Sequence, residues 1–457
     1  MSISQVLFTI VFLIVLYFGK KWYTRVYRNI MLGKPEAIEG DEGKRMKNML
    51  LVAFGQKKMF KRLLPAFLHL FIYVAFLFTQ VELIEIIIDG FSGQHRIFTP
   101  FLGSFYTLII STIEILSVLA LIATFVFLAR RNLLPFMGKP ISRFEKSEMK
   151  GWPKLDANII LFGEIALVTG IFMMNGADVV LQGLDPEHYH QTGSFAISSW
   201  LGPAVFGGLP KELLVLIERS GWWLHLLTVF AFILYLPISK HFHIFLAFPN
   251  VYFAKLNPRG EMENMPEIMG EVKSMMGLTT NEATPEMDED FEFGAKDITD
   301  LSWKNVLDAY SCTECGRCTD VCPANTTGKK LSPRKIMMDI RDRATEIGEK
   351  LDSKSTEFID KAKSSKESVL SKSNFDDGKS LFDYISREEI HACTTCNACV
   401  EACPIMINPL DPILKLRRYE ILSESAGPAD WVPMFTSLEN SGSVWAIPDD
   451  RDAWTKS

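Results

Sequence analysis

Eight cysteines, none before Cys312, fall into two quartets of identical spacing. Cys312, Cys315, Cys318 and Cys322 are followed by Pro323, and Cys393, Cys396, Cys399 and Cys403 by Pro404. Each quartet reads C-x2-C-x2-C-x3-C-P. Three cysteines at that pitch wrap one loop around a face of an iron–sulfur cubane. The fourth, set off by a longer spacer and a proline, reaches the other cluster of a pair. The spacing predicts two [4Fe–4S] clusters with crossed fourth ligands: Cys312, Cys315, Cys318 and Cys403 on one, Cys393, Cys396, Cys399 and Cys322 on the other. Structural zinc sites are expected as C-x2-C pairs instead. No cysteine remains for a disulfide framework, and such clusters belong on the cytoplasmic face of a membrane.

The chain of 457 residues is 48% hydrophobic, and its mean hydropathy is positive. That apolar content is concentrated before residue 250. A membrane span needs about 20 apolar residues, and spans are predicted at 5–18, 63–88, 104–129, 157–182 and 217–246. The first run reads as a retained helix and fits a signal peptide poorly: no positive charge precedes it, no small-residue cleavage site follows, and Lys20 and Lys21 lie behind it. Residues 19–62 hold 12 Lys and Arg and residues 130–154 hold 7, against one each in 89–103 and 183–217. Positive loops stay in the cytoplasm. The N-terminus is therefore expected outside an inner (cytoplasmic) membrane, and everything from residue 247 onward inside. The net charge of −6 sums a basic membrane half and an acidic linker, and nothing in it points to nucleic acid.

Four segments follow: a membrane domain over 1–250, a linker over 251–300, a cluster domain over 301–426 and a C-terminal docking tail over 427–457. The linker contains Asn257-Pro258-Arg259-Gly260 and the acidic stretch from Glu286 to Glu292. Ser332-Pro333 opens a helix with proline at its first position, and Ile336, Ile340, Ala344, Ile347 and Leu351 give it one apolar face. The Lys/Ser-rich stretch 353–373 reads as a solvated insert. About 70 residues of helical pattern separate the quartets, far more than a small β-type ferredoxin uses. The expected fold is all-α: a five-helix transmembrane bundle plus a helical ferredoxin domain.

Three histidines lie within or at the ends of spans: His69, His225 and His243. Polar residues at such depth are costly and tend to be functional. His225 and His243 are 18 residues apart, about five turns and about 27 Å on a continuous helix, hence on one face. His241 is rotated away from that face and reads as an interfacial charge beside Lys240. Glu82, Glu85, Glu114 and Glu164 also lie in or near spans. Structural hydrogen bonding is the plain reading of such carboxylates. The other reading makes Glu82, Glu114 or Glu164 a quinone-side proton acceptor.

Leu301-Ser302-Trp303-Lys304, Cys315-Gly316-Arg317-Cys318, Leu331-Ser332-Pro333-Arg334 and the ending Leu438-Glu439-Asn440-Ser441-Gly442, Trp445, Arg451, Trp454 resemble the iron–sulfur subunits of heterodisulfide reductases and glycolate oxidases. Members of those families continue into Cys-Cys-Gly repeats. This chain reaches Ser457 without one, so the substrate-facing chemistry is expected on a cytoplasmic partner, a Cys-Cys-Gly-repeat iron–sulfur subunit or a flavoprotein. In the membrane half, Phe67-Leu68-His69, Leu224-His225-Leu226 and Pro237-Ile238-Ser239-Lys240-His241-Phe242-His243-Ile244 resemble the nitrate reductase gamma subunit and the cytochrome b subunit of heterodisulfide reductase. The resemblance implies haem b on His69 and His243, with His225 a candidate ligand of a second haem. Ten residues past His69, where the family carries another ligand, stands Thr79 followed by Gln80. An outer partner would come from His95, His188 or His190; otherwise the outer haem is five-coordinate or absent.

These features imply a respiratory electron-transfer subunit working between menaquinone or ubiquinone, dissolved in membrane lipid, and the cytoplasmic partner. An ion-translocating protein with accessory clusters is the alternative, weakened by the lack of an internal repeat. A self-contained enzyme is disfavoured, because no nucleotide-binding glycine loop, flavin fingerprint or nucleophile motif is present.

Overall fold

The computed structural model describes residues 2–258, 260–262, 264–278, 292–360, 370–445 and 452–455. Arg259, the acidic stretch 286–291, residues 361–369 of the Lys/Ser-rich segment and Arg451 lie outside them. The fold is helical, as expected. No strand occurs among the described residues, only isolated bridges at Lys34–Ser302 and Ile359–Phe375.

Five helices are long and apolar enough to cross a membrane: α1 (Ile3–Ile30), α2 (Leu63–Ser92), α3 (Ser104–Leu128), α4 (Trp152–Leu184) and α5 (Lys211–Tyr235). Along α1, Leu7, Ile10, Leu13 and Ile14 are each 49% exposed or more, a surface that suits lipid and not water. Ser2 and Gln5 form a capping box that starts this helix. Its 28 residues reach about 42 Å at ~1.5 Å per residue, beyond a ~30 Å hydrocarbon core. Helices α4 and α5 touch through glycine: a Cβ on Gly221 would lie 2.5 Å from the Met174 nitrogen, and one on Gly170 would lie 2.9 Å from that of His225. Small residues allow such backbone approach in a membrane bundle.

The expected span 217–246 is not one helix. Helix α5 ends at Tyr235, followed by tight turns at Leu236–Ile238 and Lys240–Phe242, with Ser239 extended between them at φ −113°, ψ 149°. Pro237 has no N–H to continue the helix, and its ring crowds the carbonyl four residues back. A new helix, α6 (His243–Tyr252), begins at His243. His225 and His243 therefore do not share a helix face.

Beyond the bundle come α7 (Trp303–Tyr310), α8 (Arg317–Asp320), α9 (Pro333–Ser353), α10 (Ala398–Ala402), α11 (Leu410–Arg418) and α12 (Trp431–Ser441). Ser302 caps α7 and Ser332 caps α9, where Pro333 holds the first turn as its sequence predicted. Ile336, Ile340, Ala344 and Ile347 are buried. So are Ala295, Ile298 and Leu301, which means that the end of the expected linker packs into the core. That core is continuous with Val26, Ile30, Phe242 and Val251 from the membrane half.

Candidate functional site

Each cysteine loop is made by the same backbone device. Residues two after the first cysteine and one after the second have left-handed backbones: Glu314 (φ 54°) and Gly316 (φ 72°) in the first loop, Thr395 (φ 56°) and Asn397 (φ 59°) in the second. Alternation of this kind turns successive N–H groups inward into a nest for an anionic group. Helices α8 and α10 follow the two loops and pack on each other. Backbone N–H groups of Thr395 and Ile407 donate to Cys393 Sγ and Cys403 Sγ at 3.4 and 3.3 Å. Cys403 lies within electrostatic reach of Cys312, Cys315 and Cys318, and Cys322 within that of Cys393 and Cys399; Cys318 and Cys399, one from each loop, also lie within reach of each other.

Burial pushes the Cys312, Cys399 and Cys403 thiols up to about 12 and raises Cys318 as well. Thiols so placed are poor nucleophiles; they become thiolates only when a metal pays the charge. Among the described residues no three Cys, His, Asp or Glu side chains converge on a single ion, whereas a cubane spreads its thiolates around a cluster of atoms. Cys396 is exposed while Cys312, Cys322 and Cys403 are buried, so the second loop is the one that meets solvent.

The first loop faces the membrane bundle, held by the basic loops of the sequence. Arg317 donates to the Lys58 and Met59 carbonyls at 3.4 and 3.3 Å, and Arg62 and Arg143 donate to Asp320 at 2.8 and 3.1 Å. Arg334, fully buried, donates to Glu148 at 2.7 Å, while Lys61 pairs with Glu401 on α10, so the same basic loop also touches the second unit. Charge counting read these cations only as orientation signals; their docking role left no mark in the sequence.

His69 and His243 come together, with ring centroids 6.3 Å apart. A metal–imidazole bond is about 2 Å, so two rings facing across one metal have centres about 6 Å apart. His69 Nδ1 lies 3.2 Å from Gln56 Oε1, and His243 Nδ1 lies 3.0 Å from the Lys240 carbonyl. The atoms facing the rings are both carbonyl oxygens, which accept, so Nδ1 donates on each ring and Nε2 keeps its lone pair, the arrangement that second-shell partners impose on metal-binding histidine. His241, read as an interfacial charge, instead packs between Phe232 and His243, at 5.4 and 5.9 Å. The sequence did not single out Gln56.

His225 is buried on α5 with Nδ1 3.2 Å from the Leu167 carbonyl. No histidine ring faces it among the described residues. His95 and His188 are engaged with Asp178 and Asp185 at 2.9 and 3.0 Å, and His190 is exposed. Thr79 donates to the Phe76 carbonyl.

The carboxylates separate by environment. Arg96 is a buried hub, donating to Asp178, Tyr106 and Asn175 at 2.9, 2.8 and 2.7 Å; Tyr106 in turn donates to Glu85 at 2.7 Å. Glu114 accepts from the Ile197 and Ser198 backbone at 2.8 and 3.1 Å, and from Asn175 at 3.3 Å. Glu82 lines a cavity of about 250 Å³ beside this network, together with His95 and Glu218. Neither of its oxygens has a hydrogen-bond partner of good geometry. Glu164 is half-buried on α4 and has no hydrogen bond or ion pair among the described residues. It follows Gly163, where a Cβ would lie 2.4 Å from the Phe232 ring, the ring that packs on His241.

A family model described as a 4Fe-4S dicluster domain matches residues 311–407, enclosing all eight cysteines. The chain is 29% identical over 445 residues to the probable iron-sulfur-binding oxidoreductase FadF of Bacillus subtilis (strain 168), covering 93% of this chain and 57% of that protein. It is 25% identical over 433 residues to the EtfAB:quinone oxidoreductase of Syntrophomonas wolfei subsp. wolfei, covering 91% and 54%. A probable membrane-anchored ferredoxin of Chromohalobacter salexigens is 31% identical over 157 residues, 33% of this chain and 22% of that protein. The chain thus spans a little over half the length of the first two relatives. No solved structure matches it. It carries a 4Fe-4S dicluster domain joined to five membrane-length helices, and its relatives are iron–sulfur oxidoreductases.

Proposed function

We propose that this chain is a membrane electron-transfer subunit, working between quinone and a cytoplasmic redox partner through one haem b and two [4Fe–4S] clusters. The observation that carries the proposal is the His69–His243 ring pair, 6.3 Å apart with both Nδ1 groups anchored. It sits at the end of the bundle where the first cysteine loop docks. When bound, the haem and the clusters supply one-electron carriers. The chain's own groups orient and separate them: Gln56 and the Lys240 carbonyl fix the imidazoles, and the basic loops fix the first cysteine loop against the bundle. The electrostatic grouping of the thiols supports the crossed set, Cys312, Cys315, Cys318 and Cys403 against Cys393, Cys396, Cys399 and Cys322. Five membrane-length helices and the paired histidines support the likeness of residues 1–250 to nitrate reductase gamma and heterodisulfide reductase cytochrome b subunits.

Two further observations support the quinone reading: one relative is itself named for quinone, and Glu164 offers an unspent carboxylate on α4, next in sequence to Gly163, which abuts the Phe232 ring. Glu82 is 13 residues from His69 on α2, about 20 Å along the axis. A proton group must lie within hydrogen-bond reach of its substrate, so Glu82 and Glu114 belong to the far network and Glu164 is the residue we assign. The name EtfAB in the same relative supports a flavoprotein as the partner, docking near exposed Cys396, with a Cys-Cys-Gly-repeat subunit as the other form it could take. The loop charges support an orientation with the N-terminus outside and the dicluster domain in the cytoplasm. His225 offers one anchored ring and no facing histidine, so the proposal rests on one haem. An ion translocator with accessory clusters would not need it.

Haem content decides between these readings. A pyridine haemochrome assay of purified protein should find one haem b per chain, retained in His225→Ala and lost in His243→Ala and His69→Ala. Haem absent from the wild type, or unchanged in the His243 variant, would remove the membrane-site assignment.

A further inference from the structure

Lys240 lies in the broken segment between α5 and α6, three residues before His243, and only 9% of it is exposed. Its carbonyl accepts from His243 Nδ1 at 3.0 Å. Its ammonium donates to the Pro153 carbonyl at 2.6 Å, pairs with Glu314, and lies 3.6 Å from Asp156. Glu314 stands between Cys312 and Cys315 and is 3% exposed. Its other oxygen accepts from Arg341 at 2.8 Å, and its backbone N–H bonds to the Cys312 thiol. One polar chain therefore runs from the His243 imidazole through Lys240 and Glu314 to the first cysteine loop.

This linkage is hard to explain as a stabilising device. A buried ion pair roughly breaks even against apolar packing, because desolvation offsets its attraction. The segment is held well without the ammonium: the Asp156 carboxylate accepts from the Lys240 backbone N–H at 3.2 Å and from the Ser239 and Tyr235 hydroxyls, each at 2.6 Å. What the pair does supply is two opposite charges in a low-dielectric boundary between the two sites: Glu314 belongs to the Cys312 loop, and Lys240 is tied to His243 through its own backbone carbonyl. Charges there act far more strongly than in water.

We propose that the Lys240–Glu314 pair is an electrostatic link that sets the reduction potentials of the His69–His243 centre and of the centre on the Cys312 loop together. The inference rests on the haem and cluster assignments proposed above. Lys240 touches neither reacting group and acts through His243 and Glu314, so it is a positioning residue. An electron arriving at either centre adds negative charge, which a nearby ammonium stabilises and a nearby carboxylate opposes.

The test is a redox titration of the full-length, cofactor-loaded protein, following haem by absorbance and both clusters by EPR. Lys240→Gln should lower the potentials of the haem and of the Cys312-loop cluster together. The expected size is a tenfold or larger change in the oxidised-to-reduced ratio at fixed potential, about 59 mV for one electron. The Cys393-loop cluster should stay put. Lys240→Arg, which keeps the charge, should restore wild-type values, and Glu314→Gln should raise the cluster potential. If Lys240→Gln carries all three centres and leaves their potentials unmoved, or shifts all three equally, the link is wrong while the electron-transfer reading stands. A wild type that binds no haem would remove both.

Discussion

Glu164, Glu82 and Glu114 look alike in the sequence, each a carboxylate in an apolar run. What separates Glu114 from the other two is how its oxygens are used. Glu82, like Glu164, lacks a hydrogen-bond partner of good geometry, but it lines the cavity beside His95 and Glu218, about 20 Å along α2 from His69. Glu114 is occupied by the Ser198 backbone and Asn175, through a network that Arg96 organises from a loop with no motif. Glu164 has no such partner among the described residues, and a carboxylate left so in a membrane helix is costly unless it works. Replacing Glu164 by Gln keeps the shape and removes the proton-accepting oxygen. Quinone-dependent turnover should then fall about 10²–10⁴-fold, the range for losing a general acid–base group, with haem and cluster content unchanged. Turnover at the wild-type rate would show that Glu164 is a bystander. His69 and His243 were legible as a pair by resemblance, whereas Gln56 was not, because a glutamine in a polar loop carries no signal until the fold brings it to a ring.

The cysteine spacing announced both loop-and-helix units, because ligand pitch survives in sequence. The left-handed backbone at Glu314 and Thr395 did not, since neither residue type favours it; the loop's need to turn N–H groups inward imposes it. The break after Tyr235 was hidden as well. Hydropathy runs on through Pro237, and only the missing N–H marks the end of the helix. Because α8 and α10 pack together, the fourth cysteine of each unit is carried toward the other unit's loop. Cys322→Ser should therefore disturb the cluster on Cys393, Cys396 and Cys399 and spare the one on the Cys312 loop, as read by EPR of the reduced protein. Damage confined to the Cys312-loop cluster would mean that each quartet serves itself.

At the level of the whole molecule, the two halves are joined more closely than a linker of 251–300 suggested. The end of α1 lies along α9: Arg25 pairs with Asp352 at 2.7 Å, Arg28 donates to the Gly348 carbonyl at 2.8 Å, and Asn29 donates to Tyr310 at 3.0 Å. Ion pairs exposed to solvent contribute ~0–1 kcal/mol each, so the shared apolar core does more to hold the halves than any one of them. The sequence divides the chain into a membrane domain and a cluster domain but carries no mark of the contact between them, because a docking surface made of arginines looks like any positive loop. In the proposed function this junction lets the chain itself conduct, from the His69–His243 site to the second cysteine loop. The most direct test mixes reduced, full-length protein with an oxidised quinone analogue and follows reoxidation of both clusters by rapid-freeze EPR. Rapid loss of both reduced signals in the wild type, abolished in a His243→Ala protein that retains its clusters, is the predicted result; clusters reoxidised at the wild-type rate in that variant would contradict the account.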